Sequence, residues 1–378
     1  MKLREGWIHE KFGEVFDLQM GRTPARKNPA YWQNGKHSWV AISDLKDDRY
    51  ISETKEKVSD TALEEINMRL VPEGTVIMSF KLSIGKTAIT QTDLYTNEAI
   101  MAFHTNEGYE IDTVFLYYYL RSYKWSDANK AVMGITLNKT TISNHYITIP
   151  PLETQHQIVA ELDALNSIID KKKEQLKELD NLAQATFYDM FGDPVVNEKE
   201  WEKKKLKETA DLINGRAYKR DELLDKGKTP VLRVGNFFTS NKFYYSDLEL
   251  PPDKYCDFGD LLFAWSASFG AKIWDGGKVI FHYHIWKVDY KEEIYNKYFL
   301  LNLLNIVTHS LMNQMRGGIM LHLTKGGIEK TDFITPPLSL QTQFAQKIEQ
   351  IENKKSLIQR SIDDVQQLFD YTMDKYFN

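Results

Sequence analysis

Ile149-Pro150-Pro151-Leu152-Glu153-Thr154-Gln155 returns 186 positions later as Thr335-Pro336-Pro337-Leu338-Ser339-Leu340-Gln341. Proline is tolerated at the first turn of a helix, where its missing N–H would have no intrahelical partner. Each Pro-Pro pair therefore reads as the start of the long, charged, amphipathic stretch that follows it. The first stretch stops at Gly192, with Pro194 beyond it, a usual C-terminal signal. The second runs to Phe377-Asn378, which align with Phe191-Gly192.

The repeat extends outward from these starts. Trp7, Phe12, Glu14, Asp17, Leu18, Gly21 and Arg22 match Trp201, Leu206, Glu208, Asp211, Leu212, Gly215 and Arg216 at an offset of 194. Gly74 and Ser83-Ile84-Gly85 match Gly259 and Ser268-Phe269-Gly270 at 185. The offset drifts only through small loop changes, so the chain is one unit written twice. Each copy opens with short apolar runs broken by Gly, Asn and Asp, such as Trp39-Val40-Ala41-Ile42 and Val231-Leu232-Arg233-Val234, which read as strands. A short helix follows, at Phe115–Leu120 in one copy and Tyr298–Leu301 in the other.

In the first long stretch apolar residues fall at Ile158, Leu162, Leu165, Ile169, Leu176, Leu179 and Ala183, with Lys172 in the one seven-residue gap. In the second they fall at Phe344, Ile348, Ile351, Ile358, Ile362, Val365 and Phe369, with Lys355 in the gap. Such a narrow stripe is a coiled-coil seam. Parallel pairing would set Ile169 against Lys355 and Lys172 against Ile358. Antiparallel pairing sets lysine against lysine and leaves every other layer apolar, so it is favoured. The lysines then snorkel outward or meet acidic neighbours such as Glu174. The plainer alternative is two ordinary helices in a shared core.

A length of 378 residues suits two domains, and 42% hydrophobic with 27% charged residues describes a globular chain. No apolar run is long enough to span a bilayer, and Met1–Trp7 shows no secretory pattern. The single cysteine, Cys256, rules out an internal disulfide and a cysteine-based zinc site, as suits a reducing cytoplasm. The net charge of −5 does not favour nucleic acid, but it is uneven: residues 151–192 carry 4 Lys/Arg against 8 Asp/Glu, while 1–150 and 193–335 are close to neutral. A DNA-binding face would have to come from local placement of charge.

The order of variable domain, Pro-Pro-Leu helix, second variable domain and second such helix resembles the specificity (S, or HsdS) subunit of type I restriction-modification systems. The resemblance spans essentially the whole chain. It rests on Gly21-Arg22-Thr23-Pro24, on Ser83-Ile84-Gly85-Lys86 and on the two Pro-Pro-Leu-x-x-Gln starts; Thr154 and Leu340 stand where the family often has Glu. It implies an α+β chain: two globular β-rich target-recognition domains (1–150 and 193–335) separated by a long antiparallel two-helix coiled coil (151–192 and 336–378), with an internal pseudo-two-fold repeat. It further implies a non-catalytic subunit that recognises a bipartite, asymmetric double-stranded DNA site. Two methyltransferase (M) subunits and the restriction (R) subunits would dock on it, with S-adenosylmethionine bound by the M subunits and no cofactor on this chain. A non-catalytic coiled-coil DNA-binding adaptor of another defence or modification system is the alternative.

Candidate DNA contacts follow from residue type and loop position. In the first copy they are Arg22, Arg26 and Lys27 in a Gly/Pro/Asn loop, Lys81 and Lys86 around the Ser-Ile-Gly turn, and Lys139 before the helix. In the second they are Arg216, Lys219 and Arg220, then Arg233 and Asn236, Trp265 and Lys272, and Lys325. Each reads equally as a solvated charge or a packed aromatic.

Catalytic patterns are incomplete. Ser83-Ile84-Gly85-Lys86-Thr87 ends like a phosphate loop, but Phe80 stands where its first glycine is required. Asn28-Pro29-Ala30-Tyr31 lacks the second proline of the adenine-methyltransferase motif. His282-Tyr283-His284 would put two imidazoles on one strand face without a carboxylate to complete a metal site. Two rivals stay open: an enzyme acting through the β-rich domains, and a scaffold that binds only proteins.

Overall fold

The computed structural model describes residues 5–125, 129–131, 134–266, 268–315 and 324–377. Asn378 and the first four residues of the Met1–Trp7 segment lie outside them. The chain is α+β and forms two compact units, Met1–Lys171 with Ser361–Asn378, and Lys172–Arg360.

In the first unit, Ile8–Lys11 pairs antiparallel with Tyr146–Ile149, joining the two ends of the β-rich part just before the helix start. A five-stranded sheet runs in the order Phe16–Met20, Ile100–Thr105, Val76–Ser79, Thr87–Thr90 and Tyr50–Ile51, beside a three-stranded sheet of Glu56–Val58, His37–Val40 and Tyr95–Thr96. Val76–Ser79 is buried along its whole length, which explains why Val76, Ile77 and Met78 are apolar on both faces. Phe12, Phe115 and Tyr119 fill the core beneath the helix Thr113–Ser122. Each such fully buried aromatic contributes about 1.5–3 kcal/mol.

The second unit repeats this order. Lys203–Lys205 pairs with Asp332–Ile334. One four-stranded sheet runs Ala210–Asn214, Ile285–Tyr290, Leu261–Ser266, Ser268–Ile273; the other runs Tyr244–Ser246, Thr229–Leu232, Val279–Phe281, Tyr255–Cys256. The short helix of the sequence reading is long here, Lys297–Met315. The strands stop at Val40 and Leu232, two residues earlier than the apolar runs suggest. Ala41 and Arg233 instead open the short helices Ile42–Asp44 and Val234–Phe238, because the Asp44 and Asn236 side chains accept their backbone N–H groups.

The two long helices are Leu152–Phe191 and Leu338–Phe377, 40 residues each and so about 60 Å long. Gly192 ends the first with φ +70°, donating its N–H to the Tyr188 carbonyl at 2.8 Å. In the first unit the start of the central helix lies beside the end of the terminal helix, and the Tyr376 hydroxyl donates to Glu161 at 2.6 Å. In the second unit the end of the central helix lies beside the start of the terminal one, with Phe344 edge-on to Phe187 and Phe191. Within each unit the start of one long helix thus meets the end of the other, as the antiparallel reading expects. Along the seam Ile158, Leu162, Ile169, Phe344, Ile348, Ile351 and Ile362 are buried, and Leu165, Leu176, Leu179, Ile358, Val365 and Phe369 are half-buried. Lys355 is neutralised by Asp180 at 2.8 Å and Glu352 at 2.9 Å, so the acidic neighbours differ from the Glu174 that sequence suggested.

Candidate nucleic-acid interface

Each unit carries the same glycine-arginine corner where the chain leaves the first strand of one sheet for the other sheet. Gly21 donates to the Ile100 carbonyl at 3.3 Å and Arg22 to that of Thr96 at 2.9 Å; Gly215 and Arg216 donate to Ile285 at 3.3 Å and Phe281 at 3.0 Å. A Cβ on Gly21 would lie 2.0 Å from the Thr96 carbonyl oxygen, and one on Gly215 2.3 Å from that of Phe281. Only glycine permits so close an approach.

The arginines near these corners are partly committed. The Arg22 side chain donates to the Ile66 carbonyl. Arg26 forks onto Glu56 at 2.5 and 3.0 Å and lies 4.2 Å above the Trp32 ring. Arg216 forks onto Glu222 at 2.9 and 2.7 Å, beside the Tyr218 ring. Hydrogen bonds from Arg216 and the Lys219 backbone hold the Glu222 carboxyl down to about 2. Bidentate pairs of this kind fix geometry, so Arg26 and Arg216 brace their own loops.

Other candidates divide in the same way. Lys27, Lys219 and Arg220 are exposed on the same loops. Lys86 is exposed and Lys81 half-buried, 5.4 Å from the Phe80 ring, around a turn whose tip is Leu82. The Phe80 carbonyl accepts from the Leu137 N–H at 2.9 Å, bringing that turn beside the helix that Lys139 opens. Lys325 opens the equivalent helix and pairs with Glu329 at 3.5 Å. Lys272 donates to the Phe237 carbonyl at 3.1 Å, and the Trp265 indole N–H to that of Tyr283 at 2.8 Å.

Arg233 and Asn236 separate. The Asn236 amide accepts from the Arg233 N–H and donates to the Ser240 and Lys242 carbonyls at 3.1 and 2.7 Å, so it closes a loop. The Arg233 side chain is exposed, 5.4 Å above the Tyr244 ring. Beside it, His282-Tyr283-His284 forms the turn between Val279–Phe281 and Ile285–Tyr290, not a strand face, because the chain changes sheets there. Burial, then the nearby His284 and Arg233, push the His282 imidazole down to about 4, leaving it neutral at pH 7.

Sequence reasoning missed Tyr244, Glu56 and Glu222 because their roles come from strand pairing and loop closure. It also missed Arg49, which pairs with Asp163 of the central helix within the first unit. Among the described residues no group of three or more His, Cys, Asp or Glu side chains converges on a metal-sized site. No helix among them is long and apolar enough to cross a membrane. Each unit thus carries exposed cations on its corner loop, and the second adds the exposed Arg233 beside the neutral His282 imidazole.

A sequence profile described as the type I restriction modification DNA specificity domain matches the chain twice, at residues 4–181 and 198–367. The type I restriction enzyme MjaIX specificity subunit of Methanocaldococcus jannaschii is 23% identical over 385 residues, covering 93% of this chain and 88% of that one. The EcoprrI specificity subunit of Escherichia coli is 27% identical over 125 residues, 31% of this chain and 30% of its own. Among solved structures, the S subunit of a type I restriction-modification system from M. genitalium aligns over 100% of this chain and 98% of its own, with TM-score 0.51 and 14% identity. A chain from a structure described as the basis of complex assembly and conformational transition of the type I R-M system aligns over 100% and 99%, with TM-score 0.61 and 19% identity. These two show likeness of fold.

Proposed function

Because the chain belongs to the type I restriction-modification DNA-specificity family, we propose that it reads a two-part DNA site, one half with each β-rich domain. The target-recognition domains are residues 1–150 and 193–335, and the helices 151–192 and 336–378 set the spacing and dock the M subunits. R subunits then complete the restriction complex. Methyl transfer from S-adenosylmethionine belongs to the M subunits, and this chain supplies the address.

The observation that carries this reading is the duplicated glycine-arginine corner. Two copies of one framework hold different side chains at equivalent turns, as two different half-sites would require. Phosphate contacts come from the exposed lysines and arginines of the corner loops, from Lys81 and Lys86, and from Lys139 and Lys325.

Titration of the full chain with its M subunit onto a duplex carrying the host's modified motif tests this. Scrambling either half alone is expected to cost about a thousandfold or more in affinity. Equal binding to both duplexes, or methyl transfer by the purified chain without a partner, would overturn it.

A further inference from the structure

Strand register makes the two units comparable position by position. In the first, Trp39 pairs with Glu56 on one side and Tyr95 on the other, and Val40 with Thr96. In the second, Val231 pairs with Tyr244 and Ile280, and Leu232 with Phe281. The next residue, Ala41 or Arg233, opens a short helix whose third residue caps its N–H, at 2.9 Å from Asp44 and 3.3 Å from Asn236. Ala41 and Arg233 thus occupy one slot, and Glu56 and Tyr244 occupy the slot beside it.

The slots differ in chemistry. In the first unit Ala41 has nothing to reach with, and Glu56 is held by Arg26. In the second unit Tyr244 cannot neutralise a cation, and the Arg233 guanidinium rides over its ring. Among the described residues no carboxylate lies within ion-pair distance of Arg233, whereas Arg26 and Arg216 each hold one. A charged guanidinium with its fork of donors open is the group that recognises guanine, whose N7 and O6 accept it bidentately in the major groove.

Resting on the DNA-reading function above, we propose that Arg233 is a specificity-determining residue of the second unit that reads a guanine in its half-site, and that the equivalent position of the first unit, Ala41, makes no such contact. Tyr244 holds the guanidinium plane and the neutral imidazole of His282 lies alongside. The Asn236 amide fixes the backbone from which Arg233 projects.

The test is selection from a randomised duplex library by the full chain bound to its M subunit, comparing wild type with Arg233→Gln and Arg233→Lys. Wild type is expected to select guanine at one position of one half-site. Arg233→Gln is expected to lower that preference by roughly 5- to 150-fold while the other half-site stays unchanged. Arg233→Lys keeps the charge without the planar fork, and is expected to retain overall affinity and to weaken the guanine preference less than Arg233→Gln does. An unchanged motif in Arg233→Gln overturns the inference and leaves the DNA-reading function standing. A wild-type chain that selects no sequence overturns that function and the inference with it. Both variants change an exposed side chain, and an unaltered unfolding midpoint confirms that any loss is one of recognition.

Discussion

Gln155 and Gln341, 186 positions apart, make the same three hydrogen bonds. The Gln155 amide donates to the Glu110 and Pro150 carbonyls, both at 2.9 Å, and accepts from the Asp112 N–H at 2.8 Å. Gln341 donates to Ile294 and Pro336 at 2.9 and 2.7 Å and accepts from Asn296 at 2.9 Å. Both side chains are fully buried. Each pins the start of a long helix to the segment leading into an earlier helix of its unit, Thr113–Ser122 or Lys297–Met315.

Replacing either glutamine by leucine strands a buried N–H and two carbonyls. Each unmatched group costs about 1–3 kcal/mol, so for the three groups a loss of about 3–9 kcal/mol is expected. Hydrogen exchange should report it locally: Gln155→Leu speeds exchange in the first unit and Gln341→Leu in the second. Equal loosening of both units by either variant would contradict this.

Much of this was legible in the sequence. The repeat, the helix limits and the lysine-offset seam were all written in residue type and spacing, because helices and their ends are local features. Strand ends were misplaced at Ala41 and Arg233, where an Asp or Asn three residues on captures the N–H and turns the chain. The commitment of Arg26, Arg216 and Asn236 was invisible for another reason. Their partners are set by loop closure, and an arginine has the same letter whether its fork is open or filled.

Arg49 is a second anchor in the first unit. Its guanidinium reaches Asp163 of the central helix, with the Tyr118 hydroxyl 2.6 Å from Arg49 and 2.7 Å from the carboxylate. The site is partly buried, so Asp163→Asn should cost about 1–3 kcal/mol, between the values for exposed and fully buried pairs. A double-mutant cycle of Asp163→Asn with Arg49→Met, read by urea unfolding, should show that most of this loss is shared.

His282 gives the second unit a pH dependence of known sign. The folded imidazole titrates at about 4, against an unfolded value of about 6.5. The unfolded chain therefore takes up a proton between those pH values that the folded chain refuses. Stability should fall as pH drops from about 6.5 to about 4 and should gain nothing from this group above that window. His282→Asn should remove that slope, and NMR titration should place the wild-type midpoint near 4. A midpoint near 6.5 would contradict the burial.

Lys355 sits in a seam that is apolar apart from it and Lys172, paired with Asp180 and Glu352. Lys355→Leu removes only the cation, but Asp180 and Glu352 are 63% and 47% exposed and stay hydrated, so the lost pair is worth little and new apolar burial offsets it. Lys355→Leu should therefore leave the unfolding free energy unchanged or raise it by up to about 1 kcal/mol. A loss above about 2 kcal/mol would show that the lysine carries the pairing.

The most direct measurement is the methylated motif in a genome exposed to this chain together with its M and R subunits, mapped by single-molecule sequencing. Two different half-sites separated by a fixed spacer are expected, because one framework presents Ala41 and Glu56 in the first unit and Arg233 and Tyr244 in the second. A palindromic motif, or one without a spacer, would contradict the division of reading between the two units.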